Sequence, residues 1–418
     1  MHNLKENNIL SLRKSLEPKN EYDQLVILAG GQGVRLAPLT NVHPKPMLVV
    51  GGVPFISHLV AQAQELSFKK VLILAGYRGE AIRNYFDDLN LGISVEVEIT
   101  PKEFTTFERL KAAIQKLDKE FCLIYGDNLV QMLPSEIESF FSKKKNVIKC
   151  LGYSGVGYHP YRNISLDTNG LFSKYHKTNL SLESGSLLNL GWYLLERQFL
   201  EHFSDFGGEL EELIFDENAN WKIEVQQITQ KYYSVGDLHR ISSLERFLDK
   251  NRRVIVLDRD GTINEKAESA SYIVKWNDFI WREGIKDLLK SENNANSEMY
   301  IITNQPAVGR NIVSQETVDD LHAKLITDAL KSGIHLKGIF CCYHGWHDNC
   351  SCRKPGIGLF LRLQDIFDVN WGTAVYIGDQ DRDCLAAEAL NLSYINVGNS
   401  MAALKNDLKD WHKSIKEK

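Results

Sequence analysis

VIVLDRDGTIN, residues 254–264, joins an unbroken apolar run to two acids spaced two positions apart. An apolar run of this length bounded by a turn reads as a strand buried on both faces, with Asp258 at its carboxyl end. If the segment is still extended there, Asp258 and Asp260 project to the same side. One can serve as a nucleophile while the other moves a proton to or from a leaving oxygen. MYIITNQ (299–305), IFCCYH (339–344) and AVYIGDQ (374–380) repeat the strand-then-turn form. They bring Thr303 and Asn304, Lys354 in RKP, and Asp379 and Asp383 in GDQDRD. A hydroxyl, a lysine and paired acids, each near a strand end or in the loop after it, predict a site for Mg²⁺ and a phosphoryl group. Helical stretches such as 314–333 separate the strands, which predicts an α/β unit.

The same rhythm runs through the first half. LVILAG (25–30), VLILAG (71–76) and FCLIYGD (121–127) read as buried strands, with amphipathic stretches at 54–66 and 107–121 between them. The spacing predicts a charged helical seam over 242–253. It divides the chain into an N-terminal extension (1–22), a first domain (23–248), a second domain (252–400) and a C-terminal helix and tail (401–418). The first domain carries LAGGQGVRLAPLTNVHPKPM, residues 28–47. Gly30, Gly31 and Gly33 let backbone N–H groups approach phosphate oxygens without a Cβ in the way. Arg35 and Lys45 would neutralise the same phosphates, and Pro44 and Pro46 restrict the chain around Lys45. Asp127 ends a strand, where an open α/β sheet places its ligand site.

CYHGWHDNCSC, residues 342–352, holds three cysteines and two histidines and is followed by Arg353 and Lys354. Cys342, His344, Cys350 and Cys352 offer three sulfurs and one nitrogen, a closed set for structural Zn²⁺. His347 is the competing nitrogen. Cys341 should face the opposite side of its strand and read as core, and Cys122, Cys150 and Cys384 read as ordinary buried residues. The absence of a Cys-x-x-Cys spacing argues against a redox centre.

The string 28–47 resembles the signature of the sugar-1-phosphate nucleotidyltransferases. That resemblance implies attack of a sugar-1-phosphate on the α-phosphorus of a nucleoside triphosphate, with Asp127 holding Mg²⁺. Two positions depart from the family pattern. FTTFERLKAA (104–113) replaces a Gly-Thr stretch, and Ser234 in YYSVGD stands where a second metal-binding acid is expected, with Asp237 three residues on. The second domain resembles the haloacid dehalogenase-like phosphohydrolases. Asp258 would be the nucleophile and Asp260 the general acid and base. Asp258, the Asp260 carbonyl and Asp379 would hold Mg²⁺, and Thr303 and Lys354 the phosphoryl group.

With the cysteine string added, the second domain resembles the zinc-loop phosphatases of D-glycero-D-manno-heptose 1,7-bisphosphate and of histidinol phosphate. The short His344–Cys350 gap leans to the histidinol branch. Arg310 and the attached first domain lean to the sugar branch. Arg353 would grip a second phosphate or sugar hydroxyls, and Asn304 lies beside the substrate. The fold expected is therefore α/β, with two Rossmann-like domains. A nucleotidyltransferase-type mixed sheet precedes a haloacid dehalogenase-like parallel sheet with a zinc loop. The fusion suggests a bifunctional enzyme of nucleotide-heptose synthesis, probed against a phosphatase with a non-catalytic nucleotide-sugar-binding module.

A net charge of −5 over 418 residues argues against general nucleic-acid binding. The first twenty residues are polar and no run approaches eighteen apolar residues, so a cytoplasmic chain without membrane contact is expected. The expected partners are thus a sugar phosphate and a nucleoside triphosphate.

Overall fold

The structure, a computed structural model, describes residues 20–416 apart from 34–35, 38, 42, 88, 156–161, 177–185, 204–205, 217–220, 268–270 and 399. Arg35 therefore lies outside the described residues. The described chain divides into two compact units, one ending at Glu245 and one beginning at Arg246.

The first unit is built on a nine-stranded sheet. Gln24–Ala29 lies inside it, parallel to Lys70–Ala75 on one side and to Glu120–Tyr125 on the other. All six residues of Gln24–Ala29 are buried, as a strand covered on both faces requires. Beyond Lys70–Ala75 lies parallel Ser94–Ile99. Beyond Glu120–Tyr125 the sheet turns antiparallel through Ser186–Glu196, which makes it mixed. The helix Thr106–Ala112 starts on a capping box, in which Glu108 N donates to Thr105 Oγ1 (3.2 Å) and Thr105 N donates to Glu108 Oε2 (2.7 Å). Its Phe107 and Leu110 enter the core with Val26, Leu74 and Leu123.

The second unit holds a five-stranded, wholly parallel sheet. Its order is Leu336–Cys342, Ser297–Asn304, Arg253–Leu257, Ala374–Gly378, Ser393–Asn396. The strand ending in Leu257 is central, and its Val254, Ile255, Val256 and Leu257 are buried. Because every strand runs the same way, Asp258, Asn304, Cys342 and Asp379 emerge at one edge of the sheet. The last helix, Met401–Lys416, sets Leu404, Leu408, Trp411 and Ile415 into the core of this unit. Their spacing of four, three and four residues is one helical face.

Two cysteine expectations need correction. Cys341 is half-buried, because its strand lies at the sheet edge, and Cys384 is half-buried on a helix surface. Cys122 and Cys150 are buried in the first core.

Candidate active sites

In the second unit, the chain leaves the central strand in a tight turn. Gly261 N donates to Asn264 O (2.8 Å), and the N–H groups of Ile263 and Asn264 reach Arg259 O (3.0 and 3.2 Å). Gly261 has φ +88°, and a Cβ there would fall 2.4 Å from Asp379 Oδ2, so only glycine fits. Lys354 is fully buried, and its ammonium lies 2.6 Å from Asp258 Oδ1 and 2.8 Å from Asp383 Oδ1. It also donates to Tyr376 Oη (2.6 Å) and Ile302 O (3.0 Å). Asn304 clasps the Lys354 backbone, receiving its N–H (3.0 Å) and donating to its carbonyl (3.1 Å). A buried ammonium is tolerable only with such pairing. Burial pushes the Asp258 carboxyl up to about 6; Lys354 opposes this and Asp383 adds to it.

The Asp260 carboxylate is held by Arg259, Asn264 and Gln305. Burial would raise it, but Arg259, Asn264 and Gln305 overcome this and hold its carboxyl below the ordinary range. Arg259 binds both Asp260 oxygens (2.9–3.1 Å), and Gln305 Nε2 bridges Asp260 Oδ2 (2.8 Å) to Thr303 Oγ1 (2.9 Å). Arg259 in turn meets His322 Nε2 at 3.0 Å. Burial and then Arg259 lower His322 to about 4, so its ring is neutral near pH 7.

Oxygens of Asp258, Asp379 and Asp383 lie within 4.8 Å of one another. Asp379 Oδ1 is buried without a hydrogen-bond partner, while Asp379 Oδ2 is 2.5 Å from the Lys266 ammonium. A half-satisfied buried carboxylate among acids, beside a glycine turn with no room for a Cβ, fits a hard divalent cation.

The ligand atoms of Cys342, His344, Cys350 and Cys352 also lie within 4.8 Å of one another, so this group could hold a metal ion. Cys342 Sγ is 3.7 Å from Cys350 Sγ and 3.4 Å from Cys352 Sγ, and His344 Nδ1 is 3.1 Å from Cys352 Sγ. These separations are far beyond a disulfide bond and suit the edges of a tetrahedron. His347 is exposed and outside the group. The loop rests on the short helix Pro306–Gly309, with Gly309 N donating to Tyr343 O (2.8 Å). A Cβ at Gly309 would strike Gly345 N at 2.2 Å. Arg310 follows, its guanidinium 4.2 Å from the Trp346 ring centre. Arg353 Nη1 donates to His344 O (3.4 Å), and the residue is half-buried.

The first unit has a cavity of about 410 Å³ at its strand ends, lined by Gly30, Gly31, Gly33, Lys45 and Asp127 among others. Lys45 Nζ is 2.6 Å from Asp127 Oδ2. Gly33 has φ +69°, and a Cβ would meet Lys45 Cβ at 2.9 Å; a Cβ on Gly31 would meet nothing. Ser234 pairs with Asn128 in a short ladder and receives a hydrogen bond from Arg240 (3.1 Å). Asp237 is engaged by the same arginine, at 3.2 Å, and receives the Arg240 N–H (3.0 Å). Among the described residues Asp127 belongs to no group of three metal-binding side chains.

The sequence does not single out Arg259, Gln305 or Tyr376. Arg259 stands between two acids in the chain and Tyr376 inside the strand Ala374–Gly378, and only the tertiary fold turns them onto Asp260 and Asp383.

Comparison with known proteins follows the same division. Residues 24–157 match the Nucleotidyl transferase family model, and residues 253–410 match the Polynucleotide kinase 3 phosphatase family model. A D-glycero-beta-D-manno-heptose-1,7-bisphosphate 7-phosphatase of Helicobacter pylori is 32% identical over 164 residues, 39% of this chain and 90% of that protein. The protein of the same description in Neisseria meningitidis is 30% identical, over 33% of this chain and 73% of its own. Among solved structures, HddC from Yersinia pseudotuberculosis complexed with GMP-PN aligns at 20% identity (TM-score 0.45), over 53% of this chain and 97% of its own. The D,D-heptose 1.7-bisphosphate phosphatase from B. bronchiseptica, complexed with magnesium and phosphate, aligns at 26% identity (TM-score 0.33), over 36% of this chain and 86% of its own.

Proposed function

The chain belongs, through its C-terminal half, to the D-glycero-beta-D-manno-heptose-1,7-bisphosphate 7-phosphatase family, and on that premise we propose a bifunctional enzyme of nucleotide-heptose synthesis. The observation that carries the phosphatase reading is the buried Lys354–Asp258 pair at the end of the central strand, beside the half-satisfied Asp379.

Lys354 and Thr303 hold the transferring phosphoryl group. Asp258 attacks phosphorus, the bond to the sugar oxygen breaks, and Asp260 delivers a proton to that oxygen. Water then attacks the aspartyl phosphate, Asp260 takes its proton, and phosphate leaves with Asp258 restored. Arg259 and Gln305 keep Asp260 anionic at rest. The negative charge of an arriving phosphate raises it toward its acid form. Asp258, the Asp260 carbonyl and Asp379 would hold Mg²⁺, which supplies charge neutralisation at the phosphoryl oxygens. Zn²⁺ on Cys342, His344, Cys350 and Cys352 would fix the loop that carries Arg353, Lys354 and Trp346. Arg310 and Arg353 then face the distal part of a sugar phosphate.

Removal of the 7-phosphate leaves a sugar 1-phosphate, which the first unit would join to a nucleotide, GTP being the family expectation. Gly30, Gly31, Gly33, Arg35 and Lys45 would cradle the triphosphate, with Asp127 on Mg²⁺. The proposed substrates are small, and neither nucleic acid nor membrane is invoked. No helix among the described residues is long and apolar enough to cross a membrane, and a cytoplasmic setting suits both substrates. A second reading, a nucleotide-sugar-binding module without transfer activity, draws on Arg240 occupying Ser234 and Asp237.

Heptose 1,7-bisphosphate with Mg²⁺ should release phosphate. Equal release from Asp258→Asn, or faster turnover of histidinol phosphate, overturns the phosphatase assignment. Pyrophosphate release from nucleoside triphosphate and heptose 1-phosphate, abolished by Lys45→Ala, separates transferase from binding module.

A further inference from the structure

Arg109 is a cation with little exposure, 4%, in the wall of the 410 Å³ cavity. Its guanidinium lies in a slot left by two glycines at neighbouring strand ends. A Cβ on Gly30 would fall 2.3 Å from it and a Cβ on Gly76 2.4 Å. Nη1 donates to Ala75 O (3.2 Å) and to Thr100 Oγ1, and Nη2 donates to Lys102 O (3.0 Å). A guanidinium has five N–H donors. Nη1 is thus fully used, whereas Nε–H and one Nη2–H have no acceptor among the described residues. No carboxylate lies within ion-pair distance of Arg109 among the described residues; Glu209, also in the cavity wall, acts on it only from farther away. This side chain costs the fold a buried charge, and its bonds leave part of its donor capacity unused in the wall of the cavity.

The position of Arg109 says what it would meet. Lys45 and Asp127 lie on the Glu120–Tyr125 side of the central strand Gln24–Ala29. Arg109 bonds the chain at the ends of Lys70–Ala75 and Ser94–Ile99, on the opposite side. Two strand spacings separate the sides, about 10 Å. That is the reach of a ribose between a phosphate and the far edge of a base.

We propose that Arg109 selects the base of the incoming nucleotide, its open Nε–H and Nη2–H receiving a base edge with two adjacent acceptors. The inference rests on the nucleotidyl-transfer reading. Guanine presents such an edge at O6 and N7, and cytosine at O2 and N3. Adenine sets an amino donor beside N7, and uracil sets N3–H between its carbonyls. Arg109 is therefore a specificity residue, separate from the phosphate-binding lysine.

The test is equilibrium binding of GTP, CTP, ATP and UTP to the full chain, with pyrophosphate release where turnover occurs. Wild type should prefer GTP or CTP over ATP and UTP by about 10- to 100-fold, the worth of one bidentate pair. Arg109→Met should reduce that preference to about 3-fold or less, weakening GTP or CTP more than ATP and UTP. Arg109→Lys keeps the buried charge and loses the fork. It should show the same loss of preference, and it answers the case in which Arg109→Met does not fold, judged by thermal unfolding. Equal affinity of wild type for all four nucleotides, or proportionate loss for all four in both variants, overturns the role of Arg109 and leaves nucleotidyl transfer standing. No binding of any nucleotide, unchanged by Lys45→Ala, overturns the transfer reading itself and this inference with it.

Discussion

The two sites both lie at the carboxyl ends of parallel strands, yet they differ in how much of their charge the protein itself has settled. In the second unit, Lys354 is sealed from solvent with four oxygens within 3.0 Å, two of them acidic. In the first, Lys45 has one ion-pair partner among the described residues, Asp127, whose side chain is 37% exposed. A sealed network costs little to reorganise when substrate arrives, so it stabilises a charged transition state in advance. An open pair leaves the substrate's phosphates to complete the neutralisation.

The sharpest way to break this contrast is to remove each lysine. Lys354→Met should abolish phosphate release, by roughly 1,000-fold or more. It should also destabilise the second unit by about 3–5 kcal/mol, because Asp258 and Asp383 lose their shared cation while buried. Lys45→Ala should lower pyrophosphate release by about 100-fold. In a melting experiment it should cost only about 1 kcal/mol, as expected of a partly exposed pair with one partner open to solvent. Comparable stability losses in the two variants would erase the distinction.

The cysteine loop gives the next effect. Cys352→Ser should reduce bound metal and lower phosphatase kcat/KM by roughly 10- to 100-fold, through displacement of Arg353 and Lys354. Metal content and kinetics on the same preparation check it.

A pH effect of about 3 kcal/mol is expected from His322, whose pKa falls from 6.5 unfolded to about 4 folded. The unfolded chain binds the proton first. The contribution is therefore full above pH 6.5 and lost as pH falls toward 4. In denaturant melts, wild type should lose about 3 kcal/mol relative to His322→Gln between pH 7 and pH 4. The smallest effect is assigned to Trp346→Ala. Losing the ring beside Arg310, a contact worth about 0.5–1 kcal/mol, should raise KM by roughly 2- to 5-fold.

What the sequence disclosed follows the same contrast. VIVLDRDGTIN reads correctly as a buried strand and acidic turn because a continuous apolar run and its terminating acid are local signals. Four of the five strands of the parallel sheet and the gathering of Cys342, His344, Cys350 and Cys352 were legible for the same reason, whereas the edge strand Ser393–Asn396 was not. The clamp on Asp260 was not. Arg259 stands between two acids in the chain, and only the fold decides that it turns inward to His322. The segment 104–113 reads as a departure from a glycine-rich stretch. Its Arg109 lies beside Phe107 and Leu110, which signal a helix face, but a buried cation on that face is a tertiary fact. Gly76 reads as a strand end, and its use as half of a slot appears only beside Gly30.

One residue separates Cys352 from Lys354, whereas five separate His344 from Cys350. The two intervals should tolerate insertion and deletion very differently over evolutionary time. Between His344 and Cys350 the chain bulges at the surface, with residues 346–349 exposed, and can gain or lose residues while its ends stay anchored. Between Cys352 and Lys354 a single added residue would take the ammonium off Asp258 while Asn304 still held the backbone. That short stretch can change by substitution but not by length, and it fixes the register in which the loop can be remodelled for new sugars.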